Sequence, residues 1–168
     1  MLKKLYIVLT FILASLMLSF AGKTLIYLEH SETLDFDEEK YPDCQILNGN
    51  VVFRQDEALM YCDKAYFYNK SNNISAHGNI KMIQGDSLTV YADHLFYNGD
   101  TKMARLRHNV RMENKELTLY TDSLNYDRKA NIGYYFLGGK LVDSTNVLTS
   151  TNGKYYPDLD IAIFQNNV

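Results

Sequence analysis

Apolar and polar residues alternate with a period of two through most of this chain. No stretch after the first twenty or so residues carries a useful 3.6-residue apolar stripe. Turn-forming clusters interrupt the alternation about every fifteen residues: Arg54–Glu57, Asn69–Asn73, Gln84–Asp86, Asn98–Thr101, Glu113–Lys115, Asp127–Asn131, Asp143–Asn146 and Pro157–Asp160. Between them the residues are β-branched and aromatic, which suits a half-buried pleated surface. The pattern predicts strands joined by hairpins, with Asn98-Gly99 the strongest signal for a tight turn of positive φ. One face carries Val51, Phe53, Ile80, Met82, Val110 and Met112, each pair following a Gly-Asn or His-Asn dipeptide. A second apolar phase runs through Met60, then Leu88 and Val90, then Leu117 and Leu119; a third through Phe67, then Leu95 and Tyr97, then Leu124 and Tyr126. These sixteen positions are the expected inward face.

The same words recur. Tyr61-Cys62-Asp63-Lys64-Ala65-Tyr66-Phe67 returns around Asp93 and again around Asp122, with a worn copy around Asn152. The successive spacings are 30, 29 and 30 residues. Gly49-Asn50-Val51, Gly78-Asn79-Ile80 and His108-Asn109-Val110 keep the same beat, and Gly139-Lys140-Leu141 echoes them loosely. Upstream, Ser31–Asp37 tracks Thr121–Asp127 and reads as half of an earlier repeat, while Asn166-Asn167-Val168 reads as the start of a later one. A fixed period of this size marks a repeat architecture. Within each repeat the inward phase slips by one residue at the Asp, as from Cys62 to Ala65. A slip in a period-two pattern requires a bulge or bend, so the Asp column is the expected corner of each long strand. The fold predicted is an all-β, open antiparallel meander. The alternative, a parallel β-solenoid, would stack the like-charged Asp residues about 4.8 Å apart and is disfavoured.

Composition adds bounds. The chain has 168 residues, enough for one domain with a real core, expected over 22–168. Lys3-Lys4, the apolar run 5–18 and Ser19-Phe20-Ala21 read as a signal peptide over 1–21, so the mature chain is expected to be exported to the periplasm. Net charge is −3, which becomes −5 without Lys3 and Lys4, and this excludes nucleic acid as a partner class. No nucleophile elbow, Walker loop or dinucleotide fingerprint is present, and no cofactor is expected. His30, His77, His94 and His108 share no metal-ligand spacing, and His108 occupies a glycine position of the repeat, as a turn variant would. The repeated Asp residues argue against catalysis, because a catalytic carboxylate needs a singular environment. No enzymatic activity is expected. Cys44 and Cys62 suit a periplasmic disulfide or, equally, buried free thiols.

Four copies of Gly-Asn-Val and Asp-x-[Ala/Leu]-x-[Phe/Tyr] in register resemble the OstA-like family of lipopolysaccharide-transport periplasmic proteins. The run Leu47-x-Gly49-Asn50-Val51 … Asp63-x-Ala65 … Gly78-Asn79 … Gln84-Gly85-Asp86 is most similar to the Bacteroidetes-type branch. The resemblance implies a V-shaped β-jellyroll whose interior holds the acyl chains of lipopolysaccharide. It also implies edge-to-edge association with itself or other lipopolysaccharide-transport jellyrolls, on the way to the outer membrane. On that reading the sixteen inward positions are the lipid-binding face. Two other readings stand beside it: a carbohydrate-binding β-repeat protein, for which the 14 Tyr would be stacking platforms, and a structural envelope adaptor. The residue pattern alone also fits a simple filled core.

Overall fold

The computed structural model describes residues 24–115 and 117–168; the expected signal peptide lies outside them. The described residues form thirteen strands: β1 (Tyr27–His30), β2 (Thr33–Phe36), β3 (Gln45–Gln55), β4 (Ala58–Tyr68), β5 (Asn73–Gln84), β6 (Leu88–Asn98), β7 (Met103–Asn114), β8 (Leu117–Asp127), β9 (Ile132–Tyr135), β10 (Gly139–Val142), β11 (Val147–Ser150), β12 (Asn152–Tyr156) and β13 (Ile161–Gln165). The one helical element among the described residues is a 3₁₀ turn, Asn69–Ser71. Each strand pairs antiparallel with its chain neighbour from β3 through β9, in one open sheet, so the parallel solenoid is excluded. β1 and β2 lie end to end along β3, and β9 and β10 lie end to end along β8. Each pair is therefore one long strand broken at its middle.

The break is the predicted slip. In β5, Gly78 and Asn79 sit at φ 77° and 47° and stand as two residues against Asp93 alone, with the register shift repeated opposite Asp63 on β4. Gly49-Asn50 and His108-Asn109 repeat the left-handed pair, and Asn166-Asn167 do so after β13. The two repeated phrases therefore meet: Asn79 Nδ2 donates to Asp63 Oδ2 at 2.9 Å, Asn109 to Asp93 at 2.6 Å, and Asn50 to Glu32 at 2.6 Å. Glu32 thus plays the Asp role of the earlier half repeat. The bulge itself belongs to the Gly-Asn strand, with the Asp as its clasp.

Bending along this line folds the single sheet into two layers. Phe67 lies seven residues past Met60, the register partner of Phe53, a separation of about 23 Å in a flat sheet. Their rings are 5.3 Å apart. Layer A holds the halves such as 64–68, 94–98 and 123–127; layer B holds 58–62, 88–92 and 117–121. The architecture is an open antiparallel β-jellyroll.

Three sequence expectations shift. The fourth Asp position is held by Thr151, not Asn152: Ser150 and Gly153 are buried on either side, and Asn167 Nδ2 donates to Thr151 Oγ1 at 3.2 Å. Gly139 faces Thr121, the place Ile80 takes opposite Ala92, so the echo Gly139-Lys140-Leu141 is two residues out of register and Leu141 matches Met82. Asn98-Gly99 does not form a turn of positive φ; Lys102 takes the left-handed position instead. Gly99 is required for close approach, since a Cβ there would meet Asn72 Nδ2 at 2.6 Å.

Candidate functional site

The inward residues of both layers form one apolar cluster. Of the sixteen expected positions, Val51, Phe53, Met60, Phe67, Ile80, Met82, Leu88, Val90, Leu95, Tyr97, Val110, Met112, Leu119, Leu124 and Tyr126 are buried, and Leu117 is half-buried against them. In layer B one register row runs Phe53, Met60, Met82, Val90, Met112, Leu119, Leu141 across seven strands. The facing row in layer A runs Leu47, Ala65, Ala76, Leu95, Leu106, Leu124, Tyr135. Three Met in the first row matter, because an unbranched thioether repacks around foreign apolar shapes with little penalty. Ile74, Ala76, Ala104 and Leu106, on the halves before each Gly-Asn, are equally buried. The same alternation announces them, although the sequence reading passed over them.

What closes the interior opposite the bulge line is polar. Gln55, Gln84 and Asn114 recur at one repeat position at the ends of layer B, and Tyr97, Tyr126 and Tyr155 recur at the Phe67 position of layer A. The Tyr97 hydroxyl donates to Gln55 Oε1, and Asn114 Nδ2 donates to the Tyr155 hydroxyl at 3.0 Å. At the middle repeat Arg128 intervenes. Its guanidinium donates to Gln84 Oε1 at 2.7 Å, Gln55 Oε1 at 3.2 Å, Gln55 O at 3.4 Å and the Tyr97 hydroxyl. All four acceptors are neutral. Gln55 Nε2 also donates to Thr24 O at 2.7 Å and Gly99 O at 2.8 Å, and Lys102 pairs with Asp56 at 2.6 Å across the same mouth. Burial pushes the Tyr97, Tyr126 and Tyr155 phenols up, which keeps each neutral. Among the described residues no backbone-to-backbone hydrogen bond crosses the mouth. The two layers are hinged on one side by backbone and latched on the other by side chains.

Chemistry of other kinds finds little support among the described residues. They hold no group of three or more potential metal ligands. His77 and His94 meet at 2.9 Å across β5 and β6, with His108 5.5 Å from His94 between ring centres. Cys44 and Cys62 are separate buried thiols, and burial, reinforced by the Asp63 charge, pushes Cys62 up to about 12. The first repeat reaches its inward slot through Cys62 where Ala92 and Thr121 stand in later ones.

The geometry defines a class: a repeat-built antiparallel sheet folded on its bulge line around an apolar interior. A family model described as OstA-like protein matches residues 23–168, and the chain belongs to that family. No curated protein matches the chain. Among solved structures it is similar to a crystal structure of LptH, the LptA homologous periplasmic component of the conserved lipopolysaccharide transport device from Pseudomonas aeruginosa. That likeness has 11% identity and a TM-score of 0.36, covers 84% of this chain and 82% of the other, and decides nothing about function.

Proposed function

We propose that this protein is a periplasmic, non-enzymatic carrier and bridge element of lipopolysaccharide transport, whose two layers part at the mouth to shield acyl chains. The observation that carries this reading is the mode of closure. An apolar interior seven strands wide, with Met60, Met82 and Met112 in one row, is sealed along its mouth, among the described residues, by hydrogen bonds that each use a side chain. A core meant only to hold the fold has no need of an openable side. Family membership points the same way. Association would use the free edges. Among the described residues β13 pairs on one side only, with Ile161 and Ile163 exposed; β1 and β2 are likewise single-sided, with Tyr27, Leu34 and Phe36 exposed. Unblunted edges of this kind accept a further strand.

The test is photo-crosslinking with lipopolysaccharide. A photoreactive residue at Met82, Val90 or Met112 is expected to label the lipid, while one at Lys81 or Arg111, on the outer side of the same strands, is not. Equal labelling of both faces would overturn the inward reading.

A further inference from the structure

The outer face of layer A gathers cations, imidazoles and exposed phenylalanine rings. Along one register line, Lys64 on β4 faces His77 on β5, which faces His94 on β6, which faces Arg107 on β7. Arg105 stands two residues from Arg107, opposite Phe96. The cations lie over rings: Lys64 5.1 Å from Tyr66, Arg105 5.8 Å from Phe96, and Arg107 5.3 Å from Phe136. Phe96 and Phe136 are each 41% exposed. Among the described residues none of Lys64, Arg105 and Arg107 pairs with a carboxylate. Acids share this face: Asp63, Asp93 and Asp122 stand on the bulge line, each accepting from an Asn or His, Asp127 lies opposite Met103 and accepts from the Lys129 and Ala130 N–H groups, and Asp35 lies opposite Ile46. On layer B both outward Arg are paired, Arg111 with Glu113 at 2.9 Å and Arg54 with Glu29, while Lys81 and Lys140 lie over Tyr61 and Tyr120 rather than over phenylalanine.

A chain of net charge −3 that gathers three cations outside any ion pair, together with exposed phenylalanines, on one face presents a complement to an anionic, amphiphilic plane. We propose that the outer face of layer A docks on an anionic lipid bilayer. Lys64, Arg105 and Arg107 meet headgroup phosphates, and the Phe96 and Phe136 rings enter the headgroup boundary. The same rings serve as platforms that hold the Arg side chains extended, so their charge is presented without collapse onto an acid of the protein. Docking by this face leaves the mouth and both sheet edges clear. The inference is independent of what the interior holds.

The experiment is co-sedimentation of the purified chain with mixed phosphatidylglycerol–phosphatidylcholine vesicles, against pure phosphatidylcholine vesicles, at low and physiological salt. Binding to the mixed vesicles, weakened by salt, is expected. Each permanent cation removed should lower affinity about fivefold, so Lys64→Gln, Arg105→Gln and Arg107→Gln together should lower it roughly a hundredfold. Because Arg107 also donates to Leu106 O and Leu124 O, the double variant Lys64→Gln/Arg105→Gln, which spares that contact, should still lose about twenty-five-fold. Phe96→Ser should weaken vesicle binding too, while Lys81→Gln/Lys140→Gln on layer B should change little. Equal binding to neutral vesicles, an unaffected double variant, or equally tight binding to dextran sulfate that ignores Phe96→Ser would overturn the proposal. Neither vesicle contains lipopolysaccharide, so the result does not depend on acyl-chain uptake.

Discussion

Arg128→Met is the sharpest test of the latched mouth. The substitution keeps most of the side-chain stem and removes a guanidinium that donates to Gln84, Gln55 and Tyr97. Hydrogen bonds to a charged group contribute about 1.5–3 kcal/mol each, but burying a guanidinium costs several kcal/mol that the Met no longer incurs. Gln55 Oε1 keeps the Tyr97 hydroxyl, whereas Gln84 Oε1 loses the Arg donor, at a cost of about 1–3 kcal/mol. The net expectation is a loss of about 2 kcal/mol, or roughly 6 °C in Tm for a domain of this size. If parting of the layers is the step that admits lipid, the same 2 kcal/mol raises the open population about thirtyfold. Urea unfolding measures the first quantity, and the initial rate of lipopolysaccharide labelling from a photoreactive residue at Met82 measures the second. Stability unchanged within about 0.5 kcal/mol would show that Arg128 does not latch the mouth. A stability loss without faster labelling would show that the mouth is not the way in.

Two further perturbations address the bend and the edge. Gly78→Ala places a Cβ 2.5 Å from Asp63 Oδ2 at φ 77°, so denaturant unfolding should show a loss of about 1–2 kcal/mol; labelling at Met82 should not accelerate, since the mouth is untouched. His108→Gly, which relieves the same left-handed position, should be neutral or stabilising. At the edge, Ala162 and Ile163 are successive residues of β13, so one of them directs its N–H outward. Of Ala162→Pro and Ile163→Pro, that one should abolish concentration-dependent association in sedimentation and leave the monomer folded; a monomer at every concentration in the parent chain would rule the edge model out.

Much of this architecture can be read from the residues because it is periodic. Period-two alternation marks Met60, Val90 and Leu119 as inward, and the slip from Cys62 to Ala65 demands the bulge that Gly78-Asn79 supply. Legibility fails where a residue acts through a partner distant in the chain. Gly99 looks like a hairpin glycine, yet Asn72 is what excludes a side chain there. Gln55, Gln84 and Asn114 sit at an inward phase but are polar, so a hydrophobic pattern discards them. Their 29- and 30-residue spacing was the available signal. Arg128 has no repeat signal; only the folded layers bring it to residues 31 and 73 positions away. The outer cation row is likewise invisible along the chain, because Lys64, His77, His94 and Arg107 become neighbours only through strand register.

The filled interior sets the energetic terms on which an acyl chain could enter. Withdrawing a chain of about a dozen carbons from water is worth on the order of 10 kcal/mol, at roughly 0.8 kcal/mol per CH₂. Parting the layers exposes the facing rows from Phe53 to Leu141 and from Leu47 to Tyr135, but an intercalated chain covers the same surfaces again. The apolar contacts are therefore exchanged, and the acyl chain's own dehydration remains as the driving term. Against it stand the latches: Arg128 with Gln55, Gln84 and Tyr97, Asn114 with Tyr155, and Lys102 with Asp56. Each contributes a net of about 1–3 kcal/mol, and all lie on one side of the fold. The hinge strengthens this balance. The Asn–Asp clasps lie on the bulge line, away from the mouth, so parting the layers there need not break them. A sheet closed by backbone ladders on both sides would have to give up many hydrogen bonds at once and would stay shut. Closure by side chains leaves opening reversible, which the proposed release of a lipid would require.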